Sequence, residues 1–294
     1  MTTMPSPGAS DALASRGGKP STFPTPPADL DSRLRGNERG MNPVGRFLLR
    51  HPGVVRLGVV ICILIAWEVA ARWFMDPLFI SPPSRVVASL GAVLGTSGVP
   101  AALRLTFFEL AVAFVIAVAI GLVVGLAVGL QPFARRSLMP IILLLYGLPQ
   151  ITILPLFILL FGIGPASKIA FGVTHGMFPI ALTIIAGVQN IKPILLISAR
   201  AMGANRWQIL RWVIFPHMIP SFFAGMRLGM SGVLLGVLLA ELYVSTAGIG
   251  YFTTLFTQNF DPTKLFGLIS MLAAMAIVLN EIVRRAEIRF GRWR

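Results

Sequence analysis

Few residues of this chain are of the types that carry out chemistry. The three histidines, His51, His175 and His217, are far apart, and the single cysteine, Cys62, lies inside an apolar run. The sequence has no Gly-Lys-Ser/Thr phosphate-binding motif, no metal-ligand spacing, and no Ser/His or Asp/Asp set in its apolar segments. It therefore predicts a protein that is not an enzyme, with no catalytic residue, metal site, cofactor or internal disulfide.

The longest polar interruption of the apolar second half is the stretch 197–220. A first helix is expected to stop at Gly203, because glycine readily takes the left-handed conformation that ends a helix. Asn205 and Gln208 then stand at the spacing of a capping box, in which each side chain caps the backbone of the other. This spacing predicts a second, short helix that begins at Arg206.

The second helix is expected to be amphipathic. Its predicted apolar face consists of residues at i, i+3 and i+7, which are Trp207, Leu210 and Ile214. Arg206 and Arg211 lie off that face, and Pro216 and Pro220 are expected to end the helix. The sequence thus predicts a helix, a glycine turn and a second helix that carry positive charge.

The composition places these helices beside a membrane. The chain has 294 residues, of which 55% are hydrophobic and 12% charged, and its mean hydropathy is +0.81. This is far from the composition of soluble domains and indicates a polytopic membrane protein. The net charge of +14 is expected to mark loops that face the cytoplasm and its anionic lipids, with both termini inside.

From the residues alone, two interpretations of 197–220 stay open. The stretch either projects from the bilayer and docks into another protein, or lies as an ordinary loop on the lipid headgroups. A DNA-reading helix-turn-helix is disfavoured, because a loop held at both ends by membrane spans cannot easily enter a major groove. No nucleic-acid partner is expected.

The stretch resembles the EAA loop of ABC-importer permeases, the cytoplasmic coupling helix that inserts into a groove of the ATPase subunit. In that pattern Glu-Ala-Ala is followed by three residues, a Gly, nine residues and Ile-x-Leu-Pro. Here the matching residues are Ile197-Ser198-Ala199, Gly203, and Val213-Ile214-Phe215-Pro216. The spacing is intact, although the Glu and the Leu of the pattern are missing. The flanking sequence is similar to the nitrate/sulfonate/taurine branch of these permeases, from about Pro43 to the C-terminus.

The resemblance implies a MetI-like homodimeric pore of the type I importer kind. Each copy would give one coupling loop to one copy of a two-copy cytoplasmic ATPase, and an extracytoplasmic binding protein would deliver the solute. The implied solute is a nitrate-, sulfonate- or taurine-like anion, with a heterocyclic or aromatic precursor as the alternative. The coupling residues implied are Ala199, Gly203, Ala204, Arg206, Trp207, Leu210 and Pro216.

The chain is expected to comprise a disordered cytoplasmic tail, 1–42, and an all-α permease domain, 43–294, with a coupling loop over 191–220. Six spans are predicted, at about 54–73, 103–130, 138–161, 168–188, 221–243 and 265–284. A short amphipathic helix containing Val86, Val87, Leu90 and Leu94 is predicted on the outer surface. An outer loop is predicted over 245–264, and Lys168 is also placed outside.

Three sets of residues inside the spans have predicted roles. Gly121, Gly125 and Gly129 form a ladder for close helix approach, either within one subunit or at a dimer interface. Tyr146 and Gln150 are candidate pathway residues, because prolines break the third span around them. Arg227 and Glu241 are further pathway candidates. They lie about 21 Å apart along one helix and so cannot pair, with Arg227 at the inner surface or paired with another helix, and Glu241 near the outer mouth.

An ion-coupled carrier or channel that works without an ATPase is the alternative function. Such a protein is expected to show paired carboxylates inside the membrane, or inverted repeats with broken helices. Neither feature is clear in the sequence, which therefore favours the ATP-driven importer.

Overall fold

The computed structural model describes residues 52–243 and 246–290, so the predicted disordered tail lies outside the described residues. The described residues form helices and no strands. A 3₁₀ turn, Gln150–Ile153, follows α4, and a π-helical turn, Leu210–Ile214, follows α8. The helices are α1 (Pro52–Trp73), α2 (Pro83–Gly95), α3 (Val99–Leu130), α4 (Pro132–Gly147), α5 (Leu154–Phe161), α6 (Pro165–Gln189), α7 (Pro193–Ala201), α8 (Arg206–Ile209), α9 (Phe215–Tyr243), α10 (Ile249–Gln258) and α11 (Pro262–Phe290).

The chain divides into two compact units, Met1–Ile65 and Ala66–Arg294. In the first unit the described residues form the beginning of α1, an apolar helix that is long enough to span a bilayer when its remainder is included. The second unit contains the helical core and the candidate site residues. Its core is built from α3, α6 and α9, whose buried side chains include Leu110, Ala117, Ile180, Ile184, Val233 and Val237.

The glycine ladder of α3 packs against α6. A Cβ added at Gly121 would lie 2.7 Å from Cγ2 of Ile180, and one added at Gly125 would lie 2.8 Å from Cβ of Ile184. Gly129 approaches the same helix. These glycines are buried inside one protomer, so the interpretation that they line a dimer interface is wrong.

Small residues also bring α6 and α9 together. A Cβ added at Gly232 would lie 2.5 Å from the carbonyl oxygen of His175, so the two backbones are in direct contact. The His175 side chain packs edge-on against Phe171, and its Nδ1 lies 3.2 Å from the Phe171 carbonyl oxygen. This histidine is therefore a packing residue of the helix interface.

The pattern of contacts gives the directions of the three core helices. Residues further along α3 contact residues further along α6, so these two helices run parallel. Those between α6 and α9 run from Gly172 with Val237 to Gly187 with Ser221, so these two run antiparallel. The end of α3, the end of α6 and the start of α9 thus share one side, which we call the coupling-loop end. It carries Arg135, Arg136, Lys192, Arg200, Arg206 and Arg211, the excess of basic residues that marks a cytoplasmic face.

Among the described residues, five helical segments are long and apolar enough to cross a membrane: Gly53–Trp73, Val99–Leu130, Pro165–Gln189, Arg206–Tyr243 and Pro262–Arg289. The predicted third span is instead the pair α4 and α5, bent by 85° at a short break. The break occurs where Leu148 precedes Pro149, because a residue before proline is driven out of the helical conformation. If the bent pair is one span, the number of spans is six, as predicted.

The predicted apolar face of α2 is partly wrong. Val86 and Val93 are buried, and Val93 packs beside Gly267 of α11, whereas Val87 and Leu94 are exposed. The helix thus packs onto α11 with residues at i and i+7, a face rotated from the predicted one.

The predicted outer loop over 245–264 is also wrong in part, because it contains α10. Ile249 and Phe256 of α10 are buried with Val93, Val99 and Leu268.

Asp261 caps the start of α11. Its Oδ1 accepts a hydrogen bond of 3.1 Å from the backbone N–H of Lys264, and its Oδ2 lies 2.9 Å from the Lys264 Nζ. Pro262 follows as the first helical residue, a position that suits proline. Burial opposes ionisation of the Asp261 carboxyl, but the hydrogen bonds and charge of Lys264 outweigh it and lower the pKa of this group.

Replacing Asp261 by Ala is expected to reduce the free energy of unfolding at neutral pH by about 1 kcal/mol, the usual cost of losing such a cap. Because the pKa is depressed in the folded state, this stability is present above the unfolded pKa of about 3.9. It is lost as the pH falls through the folded pKa. Thermal unfolding in detergent at several pH values checks this, with Asp261→Asn, which keeps the cap, as the control. A difference between Asp261→Ala and wild type that persists unchanged in acid would contradict it.

Candidate functional site

The predicted helix stop at Gly203 is confirmed. Gly203 has a φ of 80°, and its N–H donates to the Arg200 carbonyl at 2.9 Å. The N–H of Ala204 donates to the Ala199 carbonyl at 3.0 Å, which completes a Schellman motif. A Cβ added at Gly203 would meet nothing within 4 Å, so only the backbone angle restricts the residue type here.

The predicted capping box at the start of the second helix is confirmed as well. The N–H of Gln208 donates to Oδ1 of Asn205, and the N–H of Asn205 donates to Oε1 of Gln208, both at 2.8 Å. The Schellman motif and the capping box therefore restrain the turn from α7 to α8 at both of its ends. We call this turn, residues 203–205, the fixed corner.

Pro216 and Pro220 were predicted to end the second helix. In the structure the helix does not end at either residue. It continues through the π-helical turn into α9, and Arg206–Tyr243 form one apolar helical segment of 38 residues. In the π-helical turn the N–H of Phe215 donates to the carbonyl five residues back. This wider turn shifts the hydrogen-bond register just before Pro216, the residue without an N–H, so the helix tolerates the proline.

The predicted apolar face of the second helix is present only in part, because Trp207 and Leu210 line one hollow together with Arg211, whereas Ile214 does not line it. Trp207 is 66% exposed, and Leu210 and Ile214 are only half-buried, whereas Ile209 is buried. The π-helical turn widens one turn of the helix. Residues on its two sides therefore no longer share the face that a regular period of 3.6 residues predicts.

An exposed surface of mixed aromatic and cationic character results at the coupling-loop end. We call it the coupling surface, and it consists of Met202, Trp207, Arg211, Trp212 and Phe215. The guanidinium of Arg211 lies 5.6 Å from the centre of the Trp212 ring. A hollow of about 480 Å³ lies between Trp207 and Pro216. A second, of about 340 Å³, is lined by Ala199, Met202, Gly203, Ala204, Gln208, Trp212 and Val213. Aromatic side chains with arginine are typical of protein-binding surfaces.

Tyr146 and Gln150 lie on the two sides of the break between α4 and α5. Tyr146 is 45% exposed, and its ring centre is 6.1 Å from that of Phe178 on α6. Gln150 is 9% exposed, and its Oε1 accepts a hydrogen bond of 3.4 Å from the Thr174 hydroxyl. Both residues contact α6, but only Tyr146 presents its side chain to the outside of the protomer.

Arg227 and Glu241 lie in separate parts of α9, as predicted. Nη1 of Arg227 is 2.9 Å from Oε2 of Glu287, so Arg227 pairs with another helix, α11. Glu241 is 1% exposed, and both of its oxygens are engaged by other helices. Glu241 thus lies near the outer end of α9, as predicted, but its carboxylate is enclosed by neighbouring helices.

Glu241 belongs to a buried polar cluster that the sequence analysis missed. Glu109 of α3 was not singled out, and Lys168 was placed in an outer loop. In the structure Glu109 is fully buried and Lys168 is 4% exposed, with its Nζ 3.4 Å from Oε1 of Glu109. Paired carboxylates are thus present within the spans. The available signal was that Glu109 and Glu241 are each the only acid in their predicted spans, and such lone acids are costly unless they are paired.

The paired carboxylates do not favour the alternative of an ion-coupled carrier. Both are closed off from the surface of the protomer, and a lysine lies beside them. The coupling surface, in contrast, is exposed and held by a fixed corner.

Comparison with known proteins decides between the two functions. Residues 117–287 match the family described as "Binding-protein-dependent transport system inner membrane component". The chain belongs to this family.

Similar proteins extend the match over most of the permease. The taurine transport system permease protein TauC of Escherichia coli (strain K12) is 30% identical over 84% of this chain and 92% of its own length. A putative aliphatic sulfonates transport permease protein, SsuC, from the same organism is 30% identical over 85% of this chain and 95% of its own length. The formylaminopyrimidine transport permease protein ThiX of Halalkalibacterium halodurans is 24% identical over 79% of this chain and 92% of its own length.

A solved structure confirms the predicted fold class. The permease is similar to a chain of the MetNI methionine ABC transporter in an inward-facing conformation, with a TM-score of 0.53 and 18% identity, over 72% of this chain and all of that chain. At this identity the likeness shows the fold. The protein is an all-α permease subunit of the ABC importer family and a multi-pass protein of the cytoplasmic membrane, as predicted.

Proposed function

We propose that this permease forms a homodimeric pore for a small sulfonate- or taurine-like anion, driven by two copies of a separate cytoplasmic ATPase. Each permease copy offers its coupling surface to one ATPase copy, and an extracytoplasmic binding protein delivers the solute. Alternating access follows if ATP closes the ATPase pair and moves the two coupling surfaces together. No ATP-binding motif is present in the chain, so the driving energy must come from such a partner.

The observation that carries this proposal is the rigid connection between the coupling surface and a membrane span. Trp207, Arg211 and Trp212 lie at the start of the helical segment Arg206–Tyr243, which packs against α6 from Met218 to Val237. A force applied at Trp207 therefore reaches the membrane core without passing through a flexible linker. The Schellman motif and the capping box keep the corner before this helix from absorbing the movement.

The break between α4 and α5 supports a second copy of the permease. Non-helical backbone at membrane depth is tolerated only where protein covers it or where it lines a water-filled cavity. Tyr146 and Leu148, beside this break, are 45% and 48% exposed in the protomer. We place a second copy against this break, with the solute route between the two copies. Tyr146 then lines the route, and Gln150 positions the break through Thr174.

The substrate class rests on the relatives, whose names specify taurine and aliphatic sulfonates. A heterocyclic precursor is the alternative, since other relatives are permeases for formylaminopyrimidine and riboflavin. Uptake of labelled taurine by cells that express the complete system tests the class. We expect unlabelled alkanesulfonates to compete and a formylaminopyrimidine not to compete. The reverse pattern of competition would assign the heterocyclic class instead.

Replacing Trp207 by Asp is expected to reduce co-purification of the ATPase by at least about tenfold, because an exposed aromatic anchor of the coupling surface is lost. The measurement is affinity purification of the tagged permease after co-expression with its ATPase subunit. Phe133→Asp is the matched control, since Phe133 is an exposed aromatic residue at the same end of the protomer outside the coupling surface. Equal recovery of the ATPase with Trp207→Asp and wild type would refute the docking role.

Accumulation of solute against a gradient by the permease alone in liposomes would refute the ATP-driven mechanism.

A further inference from the structure

The buried cluster at the end opposite the coupling loop has an unequal distribution of hydrogen bonds. Both oxygens of Glu241 have donors: the Thr106 hydroxyl at 2.6 Å from Oε1 and the N–H of Gly250 at 2.8 Å from Oε2. Neither oxygen of Glu109 has a hydrogen-bond donor, although both are buried. Lys168 directs its hydrogen bond to the Ala247 carbonyl, at 3.2 Å. Hydrogen bonds therefore stabilise an ionised Glu241 carboxylate, whereas none stabilises an ionised Glu109 carboxylate.

The charges of the cluster are also unequal if every group is ionised. Glu109 and Glu241 would carry two negative charges against the single positive charge of Lys168, in a site whose three side chains are at most 5% exposed. An uncompensated charge in such a place is strongly unfavourable. One added proton makes the cluster neutral, with one carboxylate, one carboxylic acid and one ammonium.

The ionisable groups that face Glu109 come from two of the helices packed around it. They are Lys168 from α6, whose Nζ lies 3.4 Å from Oε1 of Glu109, and Glu241 from α9. On α10, the N–H of Ile249 donates to the Thr106 hydroxyl oxygen, and the N–H of Gly250 donates to Oε2 of Glu241. His175 lies two turns further along α6, and its ring contacts Phe171 and Gly236. A proton on Glu109 would therefore have the Glu241 carboxylate as its acceptor.

We propose that Glu109 and Glu241 form a proton-binding site that holds one proton at neutral pH, with Glu109 as the carboxylic acid and Glu241 as the carboxylate. The Glu109 O–H donates to Glu241, and the Glu241 carboxylate balances the positive charge of Lys168 within the cluster. The bound proton lets α3, α6 and α9 close around the cluster, so Glu109 is a positioning residue for the outer ends of the core helices. Loss of the proton would place two carboxylates side by side and drive these ends apart.

Infrared difference spectroscopy of the full-length purified permease, titrated from neutral to alkaline pH, tests the proposal. We expect the carbonyl band of a protonated carboxylic acid at neutral pH, its loss on alkaline titration, and its absence in Glu109→Gln. Glutamine resembles the protonated acid and can donate to Glu241, so Glu109→Gln should keep the melting temperature of the wild type. Glu241→Gln removes the carboxylate that balances the charge of Lys168 and that accepts from Thr106 and Gly250, and it should lower the melting temperature by roughly 5 °C or more.

Three results would overturn the proton site. They are a wild-type spectrum without a carboxylic-acid band at neutral pH, a band that survives in Glu109→Gln, and a Glu109→Gln variant that fails to fold or melts as low as Glu241→Gln. The spectra require neither the ATPase nor a solute. Failure here therefore leaves the proposed transport function untouched, and failure of that function leaves the proton site untouched.

Discussion

Uptake is expected to be lost, by more than about tenfold, when Gly203 is replaced by Pro, while the protein still accumulates in the membrane. Gly203 has a φ of 80°, whereas the proline ring holds φ near −65°. The substitution also removes the N–H that donates to the Arg200 carbonyl. A Cβ added at Gly203 meets nothing within 4 Å, so the damage should stay in the corner between α7 and α8. Solute uptake and immunoblotting of membranes are the measurements.

Gly203→Asn is the matched control for this prediction. Asparagine tolerates positive φ better than most residues and keeps the backbone N–H, so the Schellman motif should survive. We expect uptake close to that of the wild type. If Gly203→Pro transports normally, or if Gly203→Asn is as defective as Gly203→Pro, the fixed corner is not what transmits the movement.

The largest expected effect on stability comes from replacing Gly232 by Val at the contact between α6 and α9. The new Cβ would lie 2.5 Å from the carbonyl oxygen of His175, which is a backbone atom and cannot rotate away. The two helices must separate, and we expect the free energy of unfolding to fall by about 3 kcal/mol. Thermal unfolding of the purified protein in detergent measures this effect.

Gly91→Ala is the control, because a Cβ added at Gly91 of α2 meets nothing within 4 Å. Alanine favours helix over glycine by about 1 kcal/mol, so this variant should be at least as stable as the wild type. A Gly232→Val protein that melts with the wild type would show that α6 and α9 are not in close backbone contact.

Features that depend on residues near in sequence were predicted correctly. The stop at Gly203 and the capping box of Asn205 with Gln208 each arise from a few neighbouring residues, as does the break of the third span, which occurs at only one of its three prolines, Pro149. Backbone angles and local hydrogen bonds decide such features, and the residue types reveal them. The apolar composition likewise determined the membrane location, because transfer to lipid depends on what a segment contains rather than on its neighbours.

Features that depend on distant residues were missed or misplaced. Glu109 and Glu241 are 132 positions apart in the sequence and meet only because α3 and α9 both pack on α6. Lys168 was placed outside, but it is buried beside the two acidic residues that α3 and α9 bring together. The π-helical turn Leu210–Ile214 was not predicted, because it cannot be read from a regular helical period.

The sequence by itself therefore determined the membrane class, the basic cytoplasmic side, the turn before the coupling helix and the family pattern. Only the tertiary structure decided which side chains face out of that helix, and that the helix continues into a membrane span. It also decided that two acids and a lysine share one buried site. The physical reason is that caps, turns and hydropathy act over a few residues, whereas burial and charge pairing are set by helices brought together from distant parts of the chain.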